Sequence, residues 1–134
     1  MSARDDLDSR IEAIESGYEF MLAYAAQGRA TDKGAAAGRN VREYLERMAA
    51  ALDGLADIAR RCAAEAGPEL PQLADRFLAA VEADAAVALS MLRSVLSRED
   101  VSSQLVDNVN ASIHLRALLT DLFVIDEAFK GPRA

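Results

Sequence analysis

The sequence predicts an all-α protein, an antiparallel up-down-up-down four-helix bundle formed as one domain over residues 1–134. Three observations predict it. Apolar residues recur at alternating steps of three and four in four separate stretches, which places them on one face of a helix. No stretch shows the strict polar/apolar alternation of a half-buried strand. The composition is alanine-rich, with 51% hydrophobic residues but only four Phe, three Tyr and no Trp, a mixture that favours helices over strands.

The first helix is expected over about 5–27, where Leu7, Ile11, Ile14, Tyr18, Met21 and Ala25 form the seam and Gln27-Gly28 the end. The small-residue run "RATDKGAAAGRN" then reads as a connection. A second helix is expected over about 40–66, with Asn40 as cap and Glu43 closing a capping box. Its seam runs Val41, Leu45, Met48, Leu52, Leu55, Ala59, Cys62 and Ala66, in heptad-like steps. Cys62 thus falls on the apolar seam, as a packed thiol rather than a reactive one.

"EAGPELPQ" is the firmest boundary, since Pro68 cannot continue a helix and Pro71 suits the first turn of the next. The third helix is expected over about 70–97. The boundary after it is weaker, with Asp100 or Ser97 as the available cap, and an unbroken helix through this point would permit a domain swap. A fourth helix is expected over about 101–129. It is apolar around most of its circumference in its second half, and Gly131-Pro132 ends it.

Charge limits the classes of partner. Acidic residues outnumber basic ones by 22 to 15, a formal charge of −7, so the overall field repels phosphate backbones and nucleic acid is not expected. Arg60-Arg61 and the scattered Arg29, Lys33 and Arg39 are too sparse for a basic stripe. A single cysteine excludes an internal disulfide, "MSARDDLDSR" lacks the apolar run of a signal peptide, and no apolar run reaches the ~20 residues of a membrane span. A cytoplasmic setting without membrane contact is expected.

The one anomaly is Asp84, a carboxylate on the apolar stripe of the third helix within "AVEADAAVALSM". If the third and fourth helices form an antiparallel hairpin turning near residue 99 or 100, Asp84 lies level with Leu115 and Arg116. Arg116 falls between Leu105, Val109 and Phe123 on the wheel of the fourth helix. A lone buried carboxylate is costly, whereas one forked onto a guanidinium is not. The expectation is an Asp84–Arg116 pair, with Glu15 or Tyr18 of the first helix in the same layer. Three readings stay open: a register lock, a mid-bundle pocket in which Arg116 reads an anionic group beside Tyr18 and Glu15, or an Asp84 at the seam edge that reaches water.

Catalytic and metal motifs are otherwise missing. A carboxylate-bridged di-metal bundle needs Glu-x-x-His on two helices, but the only histidine is His114 and Ala111 stands three residues before it. Phosphotransfer bundles follow their histidine with lysine and glycine, where this chain has "SIHLRALL". Glu12, Glu15 and Glu19 read as a solvated face, and "GAAAGR" is a weak phosphate-cradle match better explained as a connector. No metal or cofactor is implied.

Phe20 and Tyr24, at i and i+4 and away from the main seam, form a second apolar patch. With Leu118, Leu122, Ile125 and Phe129 of the fourth helix they are expected to line an interface. The resulting expectation is a homodimeric, non-catalytic interaction or accessory module, with a second protein as the other partner class. The alternative is a small-molecule binder or enzyme built on Asp84 and Arg116.

Overall fold

Seven helices account for the regular structure of residues 2–129, the part of the chain described in a computed structural model, and no strand occurs among them. They are α1 (Ala3–Ala25), α2 (Ala36–Leu52), α3 (Leu55–Ala66), α4 (Leu70–Leu73), α5 (Asp75–Leu96), α6 (Ser103–Asn110) and α7 (Ile113–Ala128). The expected end at Gly131-Pro132 lies outside the described residues.

α1 begins at Ser2, whose hydroxyl accepts from the Asp5 amide, with Asp5 and Asp6 placed favourably in the first turn. The second predicted helix differs in both its start and its continuity. It starts at Ala36 because the alanines before Asn40 extend the helix, so Asn40 is an exposed position within α2 and not its cap. It is also broken at Asp53-Gly54, where Gly54 takes φ +79, a left-handed conformation that glycine adopts without strain. Arg10 of α1 stabilises this break by donating to the carbonyls of Ala51 and Asp53, while its Nε is held by Asp6.

α3 closes at Gly67, and Pro71 lies in the first turn of α4. Ala74 leaves helical geometry and separates α4 from α5. Residues 97–102 interrupt the helix, so the third and fourth predicted segments are not continuous. Ser102, rather than Asp100 or Ser97, caps α6 by accepting from the Leu105 amide. A further break at Ala111-Ser112, where Asn110 and Ser112 are weak helix formers, divides α6 from α7.

One hydrophobic cluster runs from Ala3 to Phe129 and takes side chains from six of these helices, including Leu7, Met48, Leu55, Leu92, Val106 and Leu122. α1 packs on α2, α3, α6 and α7, and α5 packs on α2, α3 and α7. Gly17 permits the close approach of α1 to α2, since a Cβ there would overlap Sδ and Cγ of Met48. Cys62 is buried at 3% exposure, and burial pushes its thiol above the usual range, so it stays protonated at neutral pH.

Candidate functional site at the α5–α7 interface

Asp84 stands half-buried at the edge of α5's apolar stripe, flanked on its own helix by the buried Val81, Ala85 and Ala88. The residue facing it is another acid. Asp121 of α7, also half-buried, is within hydrogen-bonding reach of Asp84, and its Oδ2 is shut from solvent with no partner of its own. Burial first, then the hydrogen bond and the negative charge of Asp84, push the Asp121 carboxyl up from 3.8 to about 6.

The expected Asp84–Arg116 pair is corrected by this geometry. Arg116 lies on the solvent side of α7, exposed and without an ion pair to Asp84. Facing residues of α5 and α7 follow the register of Phe77 against Phe129, whose rings meet edge-on at 6.3 Å. That register sets Asp84 opposite Asp121, about one and a half turns beyond Arg116. The α6–α7 break is the physical reason, because it adds a non-helical step that continuous helical arithmetic omits.

Glu15 and Tyr18 are half-buried on α1 and do not join Asp84. Glu15 instead lies near Asp126 of α7; burial first, then Asp126 and Glu19, raise its carboxyl. Asp126 is held by Arg4 at 2.6 Å, and Arg4 also reaches Asp8.

The expected interface residues are mostly spent inside the chain. Tyr24, Leu118, Leu122 and Ile125 are fully buried and Phe129 is 3% exposed. Phe20 is half-buried and stacks on Tyr44 of α2 with centroids 4.4 Å apart, and Arg47 lies over the Tyr44 ring at 5.5 Å from its centroid. The large apolar side chains left exposed are others, among them Ile113, Phe123 and Val124 of α7 at 74, 63 and 47%.

A second polar cluster, missed from the sequence, ties the 26–35 connection to the 97–102 connection. Asp32, 5% exposed, accepts from Nε of Arg42 and from the Val101 amide, and these bonds hold its carboxyl down to about 2. The Arg42 guanidinium also donates to the carbonyls of Leu96, Arg98 and Glu99, closing the C-terminal end of α5. Beside it the Tyr24 hydroxyl donates to the Val101 carbonyl at 2.6 Å, and the Ser103 hydroxyl donates to the Tyr24 carbonyl. The Ser103 amide donating to the Arg29 carbonyl, and the Arg29 amide donating to the Ser103 hydroxyl, complete the clasp. The one signal available in the sequence was Asp32 in a small-residue connection, ten positions before Arg42.

Among the described residues no group of three or more His, Cys, Asp or Glu is placed to hold a metal ion, and no helix is long and apolar enough to cross a membrane. Comparison with known proteins returns no matching family model, curated protein or solved structure.

Proposed function

We propose that the chain is a non-catalytic interaction module that self-associates through the outer face of α7. The observation that carries this reading is the exposure of Ile113, Phe123 and Val124 along one side of that helix. Exposed single apolar residues are ordinary, but three large ones on one helical face form a patch.

A second copy of the chain fits this face by symmetry. Antiparallel pairing of two α7 helices sets Thr120 of one copy opposite Phe123 of the other, a self-complementary contact of the kind a two-fold interface requires. Within each copy, the seven helices are read as four rods, α1, α2–α3, α4–α5 and α6–α7, in an up-down-up-down bundle, with each rod touching its two neighbours. The anion-site reading lacks its positive group, because Asp84 faces Asp121 rather than Arg116.

Sedimentation equilibrium tests the proposal. The parent is expected at twice the chain mass, and Phe123→Asp with Val124→Asp at the single-chain mass with the helical spectrum unchanged. Leu118→Ala, in the interior, should lower stability and leave the mass alone. A parent that sediments as a single chain at high micromolar concentration, or a double variant with the parent's mass, overturns it.

A further inference from the structure

We propose that the Asp84–Asp121 pair is a proton-operated latch that holds α5 against α7 in mildly acidic solution and loosens as the pH rises to neutrality. The geometry is that of two carboxyls from different helices brought within hydrogen-bonding reach, with one oxygen of Asp121 closed off from water and unpartnered. Protonated, Asp121 donates its O–H to the Asp84 carboxylate and the contact is attractive. Ionised, the same two groups repel each other across the interface, and a charged oxygen is left where solvent does not reach. The reaction is the uptake of one proton from solvent by each chain as the pH falls, and its release as the pH rises.

The other elements around α7 do not supply a counter-charge. On α5 the group facing Asp121 is Asp84, while Glu82 pairs with Arg60 of α3 and Arg93 is turned toward Asp53. On α1, Arg4 pairs with Asp126 and Asp8, and Glu15 is a further acid repelled by Asp126. The buried residues of α6 are Ser103, Val106, Val109 and Asn110, none of them ionisable. On α7 itself, His114 lies two turns before Asp121 on the same side and is exposed, and Arg116 points to solvent on another side.

The sign follows from the direction of the shift. A carboxyl that holds its proton more tightly in the folded chain than in the unfolded one stabilises the fold fully below its unfolded value of 3.8, and this contribution is lost as the pH rises through about 6.

Thermal unfolding at a fixed protein concentration between pH 5 and 7.5 tests the latch, with D121N, D84N and H114Q beside the parent. The parent midpoint should fall by roughly 2–3 °C across this range, half of what the one pH unit of linkage sampled there gives for a fully enclosed group. D121N, whose amide donates to Asp84 at every pH, should lose that fall and be more stable than the parent at pH 7.5. D84N should weaken the fall, and H114Q should keep it. In the unsubstituted protein the Asp121 carboxyl carbon should titrate with a midpoint near 6, so a variant that fails to fold does not remove the test. A midpoint near 4, a D121N variant as pH-dependent as the parent, or loss of the dependence in H114Q overturns the proposal.

Discussion

Replacing Asp32 by asparagine keeps the side-chain shape and the oxygen that accepts from the Val101 amide, but removes the charge that Arg42 neutralises. The folded chain holds this carboxyl at about 2, against an ordinary 3.8. At ~1.4 kcal/mol per unit, the difference is about 2 kcal/mol of stability at neutral pH. The site is enclosed, with Asp32 at 5% exposure, so little of that is lost to solvent screening. For a chain of 134 residues it corresponds to a fall of roughly 6–10 °C in the unfolding midpoint. The contribution of a depressed carboxyl is present above its unfolded value and disappears as the pH falls through the folded one. The D32N gap should therefore be full at pH 5–7 and narrow progressively below pH 4. Arg42→Ala should cost more, about 3–5 kcal/mol, because it leaves the Asp32 charge without its cation and the carbonyls of Leu96, Arg98 and Glu99 without their donor. Calorimetry or urea unfolding of both variants across this pH range is the assay. A D32N protein as stable as the parent at pH 7, or a gap of the same size at pH 7 and pH 3, refutes the reasoning.

Substitutions at three further features follow. Gly17→Ala should destabilise by about 1–2 kcal/mol despite alanine's better helix propensity, because the new methyl overlaps Met48, and Met48→Ala should cost less in that background than in the parent by urea unfolding. Tyr24→Phe should cost about 1–2 kcal/mol by the same measurement, since the Val101 carbonyl loses a buried donor. Gly54→Ala should cost about 1 kcal/mol through its positive φ alone, leaving the helical spectrum intact.

The seams were legible because burial by helical periodicity is a local signal. Leu7, Ile11, Ile14 and Met21 on α1, and Val41, Leu45 and Met48 on α2, are buried as their spacing implies. The breaks at Asp53-Gly54 and Ala111-Ser112 were not legible. Asp53-Gly54 interrupts a heptad run without disturbing its phase, so only the left-handed glycine and the Arg10 bonds reveal it. The partner of Asp84 depended on a register that the α6–α7 break changed, and nothing in the local sequence marked Asp121 as the residue facing it. Tyr24 was misplaced for a related reason. Its ring lies off the first-helix seam, yet α6 arrives there from far along the chain and encloses it. The Asp32–Arg42 clasp joins two connections, and connections have no periodicity from which contacts are read.

The position of α1 has a consequence for how the chain is made. Tyr24 and Ser103, joined in the clasp, are 79 positions apart. At ~5–20 residues per second of synthesis, about 4–16 s pass between the appearance of the first and that of the second. Throughout that interval the side of α1 destined for α6 and α7 has no partner. Asp5, Asp6, Asp8, Glu12, Glu15 and Glu19 outnumber Arg4 and Arg10 on this helix, so the waiting segment carries a net negative charge that favours its solvation until its last partner is made.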